Sequence, residues 1–360
     1  MSQNQTKISS EEEEGIVRAL HLPCGLFLPM VLKAAIELDL FEIMAKAGPA
    51  AQLSSDEIAA AIPSRNHHAP AMIDRMMRYL ASQSFLDCST TGGENGIVKR
   101  LYSLAPICMN FLRNENGTSL GSLLLVPLDK VMLEAWYNLK DAILEGEVPF
   151  ERTHGMSIFD CARTDDRFNK VLNNGMQSYA KIAMNKIFEV YNGFEGVKEI
   201  VDVGGGLGGT LNLIVSKYPN VKGINFDLPH VIKNAPTYSG VEHIGGDMFE
   251  SVPKGEVIFM KWILHDWSDE HCLKLLKNCW KALSETGKVI LVGVVLPEYP
   301  ENDRISQIGF NSDMAMMTTN IGGKERTKEE YENLAKRAGF THLKLVSKVY
   351  RDWIIELYKN

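Results

Sequence analysis

A short apolar run, Glu199–Val203, leads into Gly204-Gly205-Gly206-Leu207-Gly208-Gly209, and an amphipathic run, Leu211–Lys217, follows. Strand, glycine-rich turn and helix in that order make a site for a nucleotide-like ligand. Glycine lets the backbone approach closely, and the N-terminus of the helix is electropositive. Two templates fit the turn. Gly204-x-Gly206-x-x-Gly209 is a dinucleotide fingerprint. Asp202-x-Gly204-x-Gly206-x-Gly208 places an acid at the strand end. That acid repels a pyrophosphate but suits a ligand that carries an ammonium and a cationic sulfur.

Residues further along weigh the two. Asp227 closes the next strand, where it can accept both ribose hydroxyls, as it would in either template. Gly246-Asp247-Met248 follows the third strand and offers a carboxylate for an adenine amino group and a thioether for its face. The bland alternatives are a helix cap for Asp247 and plain core for Met248. Taken together, the set favours S-adenosylmethionine over a nicotinamide dinucleotide, and an NAD-dependent oxidoreductase is the alternative reading.

The run Val257–Leu264 ends in Lys261-Trp262-Ile263-Leu264-His265-Asp266-Trp267. His265 would sit at the carboxyl end of a strand, at the mouth where open α/β sheets bind ligands. A histidine there can titrate near neutrality and take a phenolic proton. Alternatively, His265, Asp266 and Trp267 form a satisfied polar corner. A metal site from His265, Asp269 and His271 is disfavoured, because Asp269 and His271 are two apart on a helix and face different sides. No metal is expected.

These residues need a sheet to position them. From Val197 onward short apolar runs alternate with amphipathic helices, which implies parallel βαβ units and a doubly wound α/β sheet. The last two runs, Leu343–Val349 and Trp353–Leu357, are three residues apart and must form an antiparallel edge pair. Upstream, Leu26–Lys46 reads as helical. A capping box at Ser54 and Glu57 starts another helix, and Ala69–Ser82 is a third. Two extended runs, Phe85–Ser89 and Arg100–Leu104, joined by a loop over Thr90–Gly96, complete a winged-helix layout. Residues 120–192 read as mostly helical.

Winged helices often bind DNA. Residues 1–110 carry nine basic and twelve acidic side chains, and the third helix holds Met72, Met76 and Met77, a face that packs rather than tracks phosphates. A dimerisation and substrate-lid module is the better reading. The whole chain of 360 residues is acidic, with formal net charge −7, which argues against sequence-independent nucleic-acid binding and anionic membranes. Residues 1–14 read as a mobile acidic tail, unlike a signal peptide, and no apolar run approaches the ~18 residues of a membrane span. Six scattered cysteines point to free thiols and a cytoplasmic, reducing setting, where the sequons at Asn4 and Asn116 are idle.

Over nearly its whole length the chain resembles the plant caffeate/catechol-type small-molecule O-methyltransferases. LPMVLKAAIEL, YNLKDAILEG, RFNKVLNNGM, GFEGVKEIVDVGGGLGGTL, GINFDLPHVI, GVEHIGGDMF, MKWILHDWSDEHC and GGKERT carry the likeness. The resemblance implies a homodimer. It has a winged-helix dimerisation domain over 1–118, a helical substrate-pocket segment over 119–192 and a Rossmann-like seven-stranded catalytic domain over 193–360. It implies cofactor contacts at Gly204, Asp227, Asp247, Met248 and Lys261, and His265 as general base oriented by Glu325. Met132, Ala162, Met176, Tyr179, Ala315, Met316 and Asn320 would line the acceptor pocket.

The departures shape the expectation. Gly293 stands where the family has a second acid flanking the histidine. Pro127, Ala162 and Tyr179 replace polar pocket groups, Ala315 replaces an isoleucine, and Asn320-Ile321 replaces Asn-Pro. Glu325 alone would then orient the base, which would be weaker than in two-acid relatives. A roomier, less polar pocket would favour flat, acidic phenols: hydroxycoumarins (furanocoumarins included), flavonoids or conjugated phenylpropanoids. A cofactor-binding homologue with weak catalysis is a further alternative.

Overall fold

The computed structural model describes residues 10–92 and 98–360. The first nine residues of the acidic tail, the Asn4 sequon and residues 93–96 of the hairpin loop lie outside them. The chain divides into two units, Met1–Asp129 and Lys130–Asn360.

In the first unit, the segment expected as a tail carries a helix, α1 (Ser10–His21). Glu11, Glu12 and Glu13 fill its first turn and Arg18 and His21 its last, which suits the helix dipole. A 3₁₀ turn over Leu22–Cys24 leads to α2 (Phe27–Glu37), and α3 (Leu40–Lys46) follows. The single helix expected over Leu26–Lys46 is therefore two, broken at Asp39 with φ 54°. Ser10–Glu37 contains an 18-residue window of mean hydropathy 1.6, so by length and composition alone it is apolar enough to cross a membrane, contrary to the expectation above. The 3₁₀ turn interrupts it, and Ile16, Val17, Leu20, Leu22, Leu26 and Phe27 are exposed along it.

The capping box forms at α4 (Ser55–Ala60), with Ser54 and Glu57 bonded reciprocally. Helix α5 (Ala69–Ser82) buries Ile73, Met77 and Leu80. Strands β1 (Leu86–Gly92) and β2 (Val98–Leu104) pair antiparallel. The buried Tyr102 hydroxyl donates to Asp74 Oδ1 at 2.7 Å, which ties this wing to α5. Helix α6 (Leu120–Leu125) packs on α2.

The second unit opens with α7 (Lys130–Trp136), α8 (Leu139–Glu145), α9 (Pro149–His154) and α10 (Ile158–Thr164). The long α11 (Asp166–Val190) follows, capped by Asp165. The sheet region then runs β3 (Glu199–Val203), α12 (Gly209–Lys217), β4 (Lys222–Asp227), α13 (Pro229–Ile232), β5 (Val241–Gly245), β6 (Gly255–Lys261) and α14 (Asp269–Ala282). It continues through β7 (Leu283–Leu296), α15 (Arg304–Thr319), β8 (Arg326–Thr327), α16 (Lys328–Ala338), β9 (His342–Val349) and β10 (Asp352–Tyr358).

Seven strands lie in the order β5-β4-β3-β6-β7-β10-β9, and β8 pairs with the end of β7. Strands β3 to β7 are parallel, and β10 runs antiparallel to both neighbours, which forms the expected edge pair. Alternation along β3 sends Val201 to a core with α14 and α16, and Ile200 to a core with α11 and α12. Strand order reverses between β3 and β6, so the carboxyl ends of these strands open a crevice for ligands. Helix α15 has no counterpart among the segments expected from periodicity. Its three methionines, Gly309 and four hydroxyl residues blur the apolar stripe, yet Asp303 caps it firmly through the amides of Ile305 and Ser306.

Candidate active site

The glycine turn links β3 to α12 at the reversal point. Gly204 (φ 71°), Gly206 (φ 58°) and Gly208 (φ 80°) adopt left-handed conformations. The positive φ of Gly204 would strain any side chain there, and a Cβ, 2.5 Å from Ile263 Cδ1, would also have to push that methyl aside. The Gly206 amide donates to Asp227 Oδ2 at 2.8 Å, and the Leu228 amide donates to Asp227 Oδ1 at 2.7 Å. Asp227 thus pins the turn while each oxygen keeps a further lone pair for a ligand hydroxyl.

Asp202 does not present its charge on the open side. It is buried beneath the turn, where a Cβ on Gly205 would meet its Oδ2 at 2.7 Å and Asn225 Oδ1 at 2.1 Å. Burial pushes its carboxyl up to about 7. Asp247, at the exit of β5, is exposed and accepts the Phe249 amide at 2.8 Å, so it caps locally as well as facing solvent. Met248 is half-buried against the core. Lys261 ends β6, and burial lowers its ammonium to about 8. Left-handed glycines, a free-edged carboxylate on β4 and a carboxylate–thioether pair after β5 form a cradle that fits an adenosyl ligand.

His265 lies in a 3₁₀ turn, Leu264–Asp266, at the exit of β6. Its Nδ1 donates to Glu325 Oε1 at 2.9 Å, which leaves Nε2 as the basic nitrogen. Glu325 is itself fixed. Ser312 Oγ donates to the same oxygen at 2.7 Å, and the Glu325 amide donates to Asp313 Oδ1 at 2.9 Å. A second carboxylate stands on the other side of the ring. Asp266 Oδ1 is 3.6 Å from His265 Nε2, and the Asn320 amide nitrogen holds it at 2.8 Å. Glu325 therefore does not act alone, contrary to the expectation drawn from Gly293.

Burial disfavours a charged His265, but Asp266 and Glu325 outweigh it and raise its pKa above the ordinary value. Burial pushes Asp266 up to about 6 against the pull of His265. Burial also works on Glu325, yet His265 and Ser312 keep its carboxyl below the usual range.

Residues 136–341 match the O-methyltransferase domain family, and residues 20–114 match the O-methyltransferase dimerisation domain. The chain belongs to the O-methyltransferase family. It is 54% identical over 99% of its length to a caffeic acid 3-O-methyltransferase of Catharanthus roseus, covering 98% of that protein. It is 54% identical over its full length to a myricetin 3-O-methyltransferase of Solanum habrochaites, covering 99% of it. An esculetin O-methyltransferase of Kitagawia praeruptora is 52% identical over 98% of this chain and 97% of its own. Among solved structures, human N-acetylserotonin methyltransferase in complex with SAM superposes with a TM-score of 0.81 at 22% identity, covering 98% of this chain and 99% of its own.

The methyltransferase uses S-adenosyl-L-methionine on a small-molecule substrate and carries a dimerisation domain. The expected acceptor residues fall into three groups. Met132 and Ala162 share one apolar cluster with Phe150 and Phe168. Met176 and Tyr179 lie three apart on α11. Ala315 and Met316 lie on α15, with Asn320 at its C-cap, and the Asn320 amide reaches both Met316 Sδ, at 3.6 Å, and Asp266. Tyr179 is buried and its hydroxyl donates to Asp352 Oδ2 at 3.0 Å, so that hydroxyl is committed within the protein.

Arg326, in GGKERT, is a structural element that motif reading passes over. Fully buried, it donates to the carbonyls of Leu264 (2.7 Å) and Trp267 (2.8 Å), which bracket the His265 turn, and to Asp269 Oδ1. The acid weighed as a metal ligand is thus an ion-pair partner of Arg326 and Lys324.

Gly293 lines a cavity of about 10 Å³ with His265, Glu325 and Tyr331. That is room for roughly one water, not for a larger acceptor. A Cβ there would meet only the Tyr331 hydroxyl, at 3.7 Å. Gly293→Ala is therefore expected to keep wild-type activity. Gly293→Glu must displace packed neighbours and should lose about 1–3 kcal/mol of stability in urea unfolding. It should also move the ascending limb of the pH–rate profile to higher pH by adding a negative charge near His265. An unmoved limb in folded Gly293→Glu would show that this position does not reach the base.

Proposed function

We propose that the enzyme transfers a methyl group to a phenolic hydroxyl of a flat plant secondary metabolite: a hydroxycoumarin or furanocoumarin, a phenylpropanoid or a flavonoid. The observation that carries this reading is His265, oriented through Nδ1 by a fixed Glu325 and with Asp266 Oδ1 3.6 Å from its Nε2, at the same end of the sheet as the proposed adenosyl cradle. S-adenosylmethionine supplies an electrophilic methyl group. His265 Nε2 takes the phenolic proton, and Glu325 and Asp266 stabilise the imidazolium that results. General-base help of this kind contributes roughly 10²–10⁴-fold. Gly204, Asp227, Asp247, Met248 and Lys261 hold the cofactor. Met132, Ala162, Met176, Ala315, Met316 and Asn320 shape the acceptor pocket, and orientation within it supplies much of the rate. The relatives named for caffeate, myricetin and esculetin support a phenol of this class.

Within this reading, residues 1–118 serve dimerisation, 119–192 the acceptor pocket and 193–360 the cofactor and chemistry. The exposed apolar face of Ile16, Leu20, Leu22 and Phe27 supports a homodimer. Six free cysteines, four of them buried, support the cytoplasm.

The test is turnover against a panel of caffeate, esculetin and myricetin, with an aliphatic alcohol and an amine as controls. The reading expects at least one phenol to be methylated and neither control. Turnover of the controls alone would overturn it.

Asp266 gives a second check. In Asp266→Asn the carboxylate that favours the imidazolium is gone, so His265 stays basic to lower pH. The ascending limb of kcat/KM against pH should move to lower pH. An unmoved limb would remove Asp266 from the electrostatics of the base.

A further inference from the structure

Asp352 opens β10, opposite Val294 of β7, and is fully buried. Its two oxygens hold different partners. Oδ1 accepts from Trp262 Nε1 at 3.1 Å, and Oδ2 accepts from the Tyr179 hydroxyl at 3.0 Å. The two rings stack face to face, with centroids 4.9 Å apart and planes 6° apart. Two cations border the stack. Lys261 Nζ lies 3.3 Å from the Trp262 ring centroid, and the Arg351 guanidinium lies 5.2 Å from Tyr179 and 5.9 Å from Trp262. Three elements far apart in sequence, α11, the exit of β6 and the start of β10, thus meet at one carboxylate.

The backbone of Trp262 shows what this arrangement restrains. Its φ is 56°, a left-handed conformation that is costly for a bulky aromatic residue and persists only where its surroundings impose it. Its amide is held by the Val292 carbonyl at 2.9 Å. The side chain is held by Asp352 and Tyr179. Trp262 is three residues ahead of His265, so its conformation directs Ile263, Leu264 and His265 away from β6. Glu325 is anchored by Ser312 and Asp313 of α15, and its neighbours meet the turn directly: the Lys324 amide donates to the His265 carbonyl at 2.9 Å, and Arg326 donates to the Leu264 carbonyl at 2.7 Å. Were Trp262 to relax to negative φ, the turn would pull against these bonds and the His265 ring would lose its alignment with Glu325.

We propose that Asp352 is a positioning residue for the methyl transfer: by binding Trp262 and Tyr179 together it holds the left-handed turn that sets His265 against Glu325. The proposal rests on the reading of His265 as the base. Asp352 touches none of the residues assigned to the acceptor apart from Tyr179, and it acts on the chemistry through Trp262. The hydroxyl of Tyr179, bound to Asp352, serves this turn rather than acceptor recognition.

The experiment compares full-length Asp352→Ala, Asp352→Asn and Tyr179→Phe with wild type. It uses the best acceptor of the phenol panel at saturating cofactor, with adenosylhomocysteine affinity measured by calorimetry. Asp352→Ala is expected to lower kcat about 10- to 100-fold, the cost of a misplaced catalytic group, with acceptor KM unchanged and adenosylhomocysteine affinity falling far less than kcat, because Lys261 rests on the Trp262 ring. Asp352→Asn should restore most of kcat, since an amide oxygen still accepts from Trp262 and its N–H can donate to Tyr179. If Asp352→Ala fails to fold, Tyr179→Phe carries the test. It keeps the stack and loses one bond, and its kcat should fall several-fold.

Wild-type kcat in Asp352→Ala, equal losses in the alanine and asparagine variants, or a loss of cofactor affinity that accounts for the loss of rate would each overturn the proposal. An inactive His265→Ala beside a fully active Asp352→Ala removes this proposal alone. An active His265→Ala removes the base assignment instead.

Discussion

Replacing His265 with alanine is expected to lower turnover by roughly 10²–10⁴-fold while adenosylhomocysteine binds with unchanged affinity. The two halves of the result have separate structural grounds. The proposed cofactor cradle is the glycine turn, Asp227, Asp247 and Met248 at the exits of β3, β4 and β5, with Lys261 at the end of β6. His265 belongs to the turn after β6 and makes its hydrogen bonds with Glu325, not with any of those residues. Removing the imidazole leaves Glu325 fixed by Ser312 and the cradle untouched. What is lost is the group proposed to accept the phenolic proton. The loss should be greatest below the acceptor's own pKa and should shrink at high pH, where the phenol ionises unaided. Kinetics across pH, with calorimetry of adenosylhomocysteine on the same protein, check this. Retained turnover near neutrality would remove His265 as the base.

Replacing Arg326 with leucine should be the most damaging change among residues that touch no ligand. Its guanidinium makes charge-assisted bonds to the Leu264 and Trp267 carbonyls and pairs with Asp269. Leucine fills much of the volume but leaves both carbonyls short of a strong donor. The Cys272 thiol, at 3.1 Å from Leu264 O and 3.5 Å from Trp267 O, remains as a weak one, and Leu264 O keeps the Trp267 amide at 3.3 Å. Asp269 is 45% exposed and finds water. The expected loss is therefore about 1–3 kcal/mol, the cost of weakly partnered buried acceptors rather than of a stranded charge. Urea unfolding at fixed protein concentration measures it. Arg326→Lys should recover little, because one ammonium cannot reproduce a fork that spans two carbonyls and a carboxylate. Activity should fall further than stability, since the loosened turn is the one that carries His265. A loss below about 1 kcal/mol would mean that the turn holds itself.

Much of the sheet was legible because its signals are local. Short β-branched runs, glycines at strand ends and the capping pair Ser54–Glu57 act within a few residues of themselves. The turn after β3 and the carboxylates at Asp227 and Asp247 could be read from spacing along one chain. Helices α1 and α15 were not legible in that way. The apolar stripe of α1 faces outward rather than to a core and follows an acidic run that reads as a tail, and α15 mixes methionines with hydroxyls and shows no clean stripe. The supports of His265 escaped for a different reason. Arg326 lies 62 residues from Leu264, and Asp352 lies 90 from Trp262 and 173 from Tyr179, and no periodicity reports such distances. The consequence of Gly293 was misjudged because Asp266, adjacent to His265 in sequence, folds back beside the same imidazole.

The most direct measurement of the central claim is the fate of an isotopically labelled methyl group. The enzyme is incubated with methyl-labelled S-adenosylmethionine and each phenol of the panel, and the products are mapped by mass spectrometry and NMR. Label is expected on a phenolic oxygen, with one methyl per adenosylhomocysteine formed and transfer in His265→Ala lowered by roughly 10²-fold or more near neutral pH. Label on carbon or nitrogen, or no label on any phenol while the cofactor binds, would contradict it.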